Sequence, residues 1–419
     1  MSIANKAPPA VSTAFFPVFS RMKKLSLRDK VNDPVFQGWV YGLVALLASL
    51  GELAKGNHVV EGNVYTHHNN YLIFKQSFFH LIHRQDLYVL YLDEHWDLYK
   101  YSPTFAALMA VFAYLPDFLG LILWNGLNAL TLFFAIRYLP LVSQRGKVLL
   151  GWFVMLEMLT SLQNAQSNAV IAGLIILAFG CFERRQVGWA SLCLVLTVYI
   201  KLFGLVAFVL FLLYPGKVRF LAYSAGWVLG LLVVPLVFVS PQQLQLLYAS
   251  WLRLLAADHS ASLGLSVMGW LAVWFNSKVS NSLVVLAGAL LFCLPLLRFG
   301  AYANFRFRLW LLASVLIWIV IFNHRAESPT FVIAICGVGL WYFTQDRKAE
   351  NTALVGLAFV LTCLSPTDLF PAYLRTHWVN PFVLKAVPCI FVWFKLLADL
   401  LLDKYETPSL STGSPWKVS

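Results

Sequence analysis

LAYSAGWVLGLLVVPLVFV, residues 221–239, runs its whole length without a charged side chain. As a helix rising 1.5 Å per residue it comes close to the roughly 30 Å hydrocarbon core of a bilayer. Outward from it, Val40 to Leu50 and Leu309 to Phe322 are also continuously apolar, and short charged connections separate such runs. Of 419 residues, 60% are hydrophobic and 12% charged, and the mean hydropathy is +0.72. A soluble domain carries about twice that charge, and an outer-membrane barrel needs alternating segments of roughly ten residues. The expectation is an all-α polytopic membrane protein.

Apolar segments are drawn at 35–53, 103–115, 118–137, 148–162, 168–182, 187–214, 220–239, 282–297, 309–322, 329–343, 351–365 and 382–402. The stretch 187–214 reads as one tilted span or as two short ones around Lys201, and the total is expected to be about 12 transmembrane helices. The net charge of +12 lies in short clusters between apolar runs rather than along one groove, so no nucleic acid partner is expected. Arg21, Lys23, Lys24, Arg28 and Lys30 precede the first span, and Lys217 with Arg219, Arg298 with Arg306 and Arg308, and Arg347 with Lys348 mark later turns. The positive-inside rule then puts both termini in the cytoplasm of a multi-pass cytoplasmic-membrane protein. The domain reading is a basic segment 1–33, a transmembrane domain 34–406 with external loops 54–102 and 240–281, and a polar disordered tail 407–419. The basic start has no small-residue cleavage pattern after it and reads as retained rather than as a cleavable signal. Cys181, Cys193, Cys293, Cys336, Cys363 and Cys389 fall in or at the edges of apolar runs and read as small core residues.

The polar chemistry concentrates in residues 57–101, which hold six of the nine histidines and five of the nineteen carboxylates. Tyr71, Phe74, Phe78, Leu81 and Ile82 recur at helical spacing and predict a surface amphipathic helix from Asn70 onward. Leu244, Leu247, Tyr248, Trp251, Leu254 and Leu255 predict a second interfacial helix that could wall a site against lipid.

Asn70, Tyr71 and Phe74, then Asp86, Leu87 and Tyr88, then Tyr101, Ser102 and Pro103 follow one another in an order that resembles glycosyltransferase family 87 of the GT-C superfamily. That family has Asp-Phe-x-x-Tyr, a surface helix, Gly-x-Asp-Leu-Tyr and a Tyr-x-Pro opening the second span. Gln163 to Asn168 is similar to its Gly-Gln-x-Asn element, and the resemblance is strongest from residue 63 to 182. It implies a GT-C-type bundle that moves one sugar, mannose or another hexose, from a polyprenyl-phosphate carrier to a lipid or glycan hydroxyl, with no cofactor. Such a reaction needs a base for the acceptor proton and a cation for the departing phosphate.

One departure stands out: Asn70, preceded by Asn69, occupies the place of the family's catalytic aspartate, and an amide cannot act as a base. The base has relocated to Asp86, Glu94 or Asp97, or Asn70 positions the sugar while His67 or His68 takes the proton, or catalysis has been lost; relocation is favoured. Lys201 interrupts an apolar run and is a donor-phosphate candidate against the alternative of snorkelling. His324 and Arg325, with Glu327 holding Arg325, are further phosphate candidates against a solvated turn. Asn69, Tyr101, Gln163 and Gln166 are substrate-binding candidates, the amides alternatively capping two spans. Lys100 reads as phosphate contact or interfacial anchor. His67, His68, His80, His83 and Asp86 are metal-ligand types without a ligand signature, so no metal is expected. Rival readings are a transporter or lipid flippase, against which stand the large first loop and the lack of inverted repeats, and a silent sugar-lipid binding protein.

Overall fold

Asp33 accepts a hydrogen bond from the Val35 N–H at 2.9 Å and Pro34 fills the first turn, so helix α1, Pro34–Ala54, begins where the sequence supplies an N-cap and a proline. The computed structural model describes residues 30–60, 62–257 and 262–405. Arg21 to Arg28 and the tail from Thr407 lie outside the described residues, as do the expectations made for them.

After α1 come an antiparallel ribbon, β1 (Asn57–Val60) with β2 (Asn63–Thr66), paired His58 to Tyr65, and helix α2, Asn69–Ile82. Helix α3, Pro103–Leu108, and one more helical turn follow, then α4, Asp117–Tyr138, α5, Gln144–Gln163, α6, Asn168–Glu183, and α7, Val187–Ile200. A 3-10 segment, Leu202–Leu213, leads to α8, Lys217–Val233, which runs on to Val237. Then come α9, Pro241–Ala257, α10, Val267–Phe275, α11, Asn281–Cys293, α12, Phe305–Ile321, α13, Phe331–Phe343, α14, Ala349–Ala358, and α15, Val387–Leu402.

This is an almost wholly helical membrane protein. Pro34–Ala54, Asp117–Tyr138 and Lys217–Val237 have both the length and the apolarity of a bilayer crossing, and six shorter apolar helices accompany them. Helix α8 turns Leu221, Leu229 and Val233 outward, as a lipid-facing helix does. At the centre α12 packs on α13, with Trp310, Trp341 and Trp393 almost wholly buried. Asn125 on α4 donates to Ser49 Oγ of α1 at 3.0 Å and to the Leu162 carbonyl of α5 at 3.2 Å, tying three helices where backbone polar groups have no water to turn to.

Two apolar segments fold otherwise than as single spans. Residues 103–115 form helical turns of six and four residues packed on α2, too short to cross a bilayer, so Tyr101-Ser102-Pro103 opens a cap rather than a second span. The stretch 187–214 folds back on itself. Lys201 reaches Asn168 at the start of α6, whereas the Tyr214 hydroxyl reaches Glu183 at its end, 2.6 Å from Oε1. Gly204 permits the reversal, since a Cβ there would lie 2.9 Å from the Thr197 carbonyl carbon. Lys201 therefore sits at the tip of a hairpin. That tip, the 57–116 segment and the 323–330 connection share one end of the bundle, the loop end. The Arg308–Glu183 pair and the Arg298 bonds to the Leu400 and Asp403 carbonyls lie at the far end.

Candidate active site

The apolar face foreseen for α2 is the buried one: Tyr71, Phe74, Phe78 and Leu81 point into the protein. The helix stops at Ile82, with Arg84 at φ 60°, so Asp86 to Tyr88 lie in the following loop. Phe74 meets the rings of Tyr101, Phe105 and Trp124 at 4.8, 5.3 and 5.6 Å. This aromatic floor, with the Tyr88 hydroxyl donating to the Tyr101 carbonyl at 3.0 Å, fixes Tyr101 at the edge of the polar centre. Helix α9 closes one side with the predicted face: Leu244, Leu247 and Trp251 are buried, Trp251 Nε1 donates to the Lys100 carbonyl at 3.2 Å, and Tyr248 and Thr104 share a 2.7 Å hydrogen bond.

Lys201 is the hub. Its Nζ donates to Gln166 Oε1 at 3.1 Å and Asn168 Oδ1 at 2.9 Å, and lies 5.6 Å from the Tyr101 ring centre. Tyr101 donates its hydroxyl to the same Gln166 oxygen at 3.3 Å. Asn168 in turn donates to the Pro329 carbonyl at 3.0 Å, which brings the 323–330 connection to the centre. The loop carrying Gln166 is shaped by Ala165 at φ 49°, whose carbonyl accepts from Trp124 Nε1 at 2.9 Å. Its amides do more than cap spans: Gln166 and Asn168 bind the lysine, and the Asn164 carbonyl accepts from Asn70 Nδ2 at 2.9 Å. Gln163 is exposed, and its side chain has no hydrogen-bond partner among the described residues. Asn69 is occupied in structure, its Oδ1 accepting from the Trp96 N–H at 3.3 Å.

The three candidate bases differ sharply. Asp86 accepts from the Tyr88 N–H at 3.0 Å and serves a turn. Glu94 lies 3.0 Å from His80 Nε2. Asp97, half exposed, accepts from the Leu98 N–H at 2.7 Å and lies 3.1 Å from Lys100; it is the one whose charge bears on Tyr101, as does that of Glu327. Burial, first, and then these two carboxylates hold the Tyr101 hydroxyl protonated far above the usual phenol range. Glu327 also acts on Lys201. His324 and Arg325 belong to the same connection, where the Arg325 N–H donates to Asn323 Oδ1 at 2.9 Å and Leu265 N–H to the Ala326 carbonyl at 2.8 Å.

The histidines form the outer shell. His68 is buried, and neither ring nitrogen has a hydrogen-bond partner among the described residues; burial pulls its pKa down, with Asp117 and Glu52 opposing. His80, stacked on Tyr91 at 3.8 Å, is pulled down by burial against the pull of Glu94, and His95 by burial as well. The His67 ring lies 4.5 Å from that of His58, tilted by 39°. No group of three or more His, Cys, Asp or Glu side chains is placed to hold a metal among the described residues.

Sequence reasoning missed a buried pair beneath the connection. Lys385 Nζ donates to Glu157 Oε1 and to Ser328 Oγ, both at 2.8 Å, with Glu157 fully buried. The signal was available for one partner: Glu157 is the lone charge in the apolar run 148–162.

A helical membrane bundle with a lysine, amides and tyrosines gathered at one end defines the class, a membrane protein with a polar centre whose groups suit a hydroxylated or anionic ligand. The family model for glycosyltransferase family 87 matches residues 99–366, more than half of the chain, and the chain belongs to that family, within the GT-C superfamily. It is a membrane glycosyltransferase by that membership. Tyr101, Gln163 to Asn168, Lys201 and His324 to Glu327 fall inside the match, whereas Asn69, Asn70, Asp86, Glu94 and Asp97 precede it. No curated protein matches the chain.

Proposed function

We propose that the protein transfers one hexose, mannose foremost, from a polyprenyl-phosphate donor to a lipid or glycan hydroxyl on the outer face of the cytoplasmic membrane, using about twelve crossings with both termini inside. The observation that carries this is Lys201 at its hairpin tip, inside the family match and bonded to Gln166 and Asn168. An ammonium has three donors; two are spent on these amides, and the third is left for a phosphate oxygen. In the reaction the acceptor hydroxyl oxygen bonds to the anomeric carbon as the bond from that carbon to the phosphate oxygen breaks. The bonding pair leaves on the phosphate, where Lys201, assisted by His324 and Arg325, stabilises it. The acceptor proton goes to a carboxylate.

Asp97 is the base of choice. Asp86 accepts a backbone N–H and Glu94 faces His80; Asp97 likewise accepts a backbone N–H, from Leu98 at 2.7 Å, and meets Lys100 at 3.1 Å, but of the three it alone acts on Tyr101. Asn70, tied to Asn164, positions the sugar together with Tyr101, Gln163 and Gln166. No cofactor is required by this scheme, since proton acceptance and phosphate stabilisation come from side chains. The test compares Asp97→Asn with Asp86→Asn and Glu94→Gln in transfer from a synthetic donor. A drop of about 100-fold or more confined to Asp97→Asn is expected; a larger loss in either other variant moves the base there, and donor binding without product in the wild type makes the protein a silent binder.

A further inference from the structure

A cavity of about 760 Å³ opens at the far end of the bundle, remote from the proposed active site. Its walls are apolar, among them Leu212, Val218 and Phe299, and its charged lining is wholly cationic: Lys217, Arg219 and Arg308. Arg308 is neutralised by Glu183, whose two oxygens it meets at 2.6 and 2.8 Å. Lys217 and Arg219 are exposed, and neither has an ion-pair partner among the described residues. Their surplus charge therefore faces the cavity uncompensated. The same corner is the start of α8, where Gly216 at φ +80° caps without a side-chain acceptor, so the first N–H groups add to the positive potential. Helix α8 is also the most lipid-facing of the three membrane-length helices, with only 17% of its apolar window covered by protein.

We infer that this cavity binds an anionic membrane phospholipid. The phosphate meets Lys217 and Arg219, and an acyl chain descends along Val218 and the outward face of α8. Basic pockets at the ends of membrane helices hold anionic headgroups in this manner, whereas a zwitterionic headgroup brings its own cation and gains less from them. The position, at the end opposite Lys201, makes this a site separate from sugar transfer.

The test washes the detergent-solubilised protein with an equimolar mixture of phosphatidylglycerol and phosphatidylcholine and measures the retained lipids by mass spectrometry. The wild type is expected to retain phosphatidylglycerol in preference. Lys217→Gln with Arg219→Gln should weaken that preference roughly 30-fold, while Lys217→Arg with Arg219→Lys should keep it. Arg253→Gln with Lys278→Gln removes the same charge at the loop end and should leave it unchanged. Equal retention of the two lipids by the wild type, equal losses in the two glutamine variants, or loss in the charge-preserving swap would overturn the inference.

Discussion

Lys201, partly buried, and Lys385, buried, are both cations near one loop, yet their settings predict opposite phenotypes. Lys201 is bound only by neutral amides, and its charge is available to a ligand. Lys201→Ala is expected to lower transfer by about 100-fold or more with helix content unchanged, the cost of losing a preorganised donor to the leaving group; circular dichroism and single-turnover rates separate these effects. Lys385 is spent on Glu157 and Ser328. Lys385→Ala strands a buried carboxylate and should destabilise by about 3–5 kcal/mol, whereas replacing both partners with apolar residues should cost much less; thermal unfolding in detergent measures the difference. Lys201 and Glu157 were legible for one reason, a lone charge in an apolar run. Lys385 was not, because it stands at the margin of its run and its partner is remote in sequence. The same limit left Asp86, Glu94 and Asp97 equivalent on paper: what distinguishes them is a histidine brought to Glu94 and a tyrosine brought within range of Asp97 by folding.

Elements with a clear apolar period were legible, and elements defined by length alone were not. Helices α2 and α9 bury the faces their spacing dictates, because the pattern records which side meets protein. Residues 103–115 are apolar without crossing, since they pack under α2, and apolarity does not distinguish protein from lipid as neighbour. The 187–214 hairpin rests on Gly204, where even one methyl group would press on the Thr197 backbone. Gly204→Ala should cost about 1–3 kcal/mol and, by shifting the tip, reduce transfer, so unfolding and activity should fall together. The segment carrying His68, His80 and His95 should make stability depend on pH. Burial lowers each folded-state pKa, so the unfolded chain takes up protons first. The stabilisation is complete above the ordinary histidine value near 6.5 and is lost as pH falls through the lower folded values. Unfolding temperatures measured downward from pH 7.5 should decline, and less steeply in His95→Gln; a flat profile would contradict this.

For the molecule as a whole, the bundle places its polar centre at one end and its cationic cavity at the other. Composition alone announced the helical membrane class, since repeated charge-free runs leave few alternatives. The family was legible from Tyr101 to Pro103 and Gln163 to Asn168, stretches from which Tyr101, Gln166 and Asn168 meet at Lys201. The sugar and the acceptor were not, because hydroxyl recognition by amides and tyrosines looks alike for many glycans. The twelve-crossing arrangement is tested by labelling single cysteines from either side of sealed membranes: positions 55 and 278 should react from outside, and position 217 only from inside.

Purified protein in liposomes should be given radiolabelled hexose on a synthetic polyprenyl phosphate and, separately, on a nucleotide, with extracted membrane lipids as acceptor. Labelled product is expected from the polyprenyl-phosphate donor alone, reduced by about 100-fold or more in Lys201→Ala. Product from the nucleotide sugar, or full activity without Lys201, would contradict this.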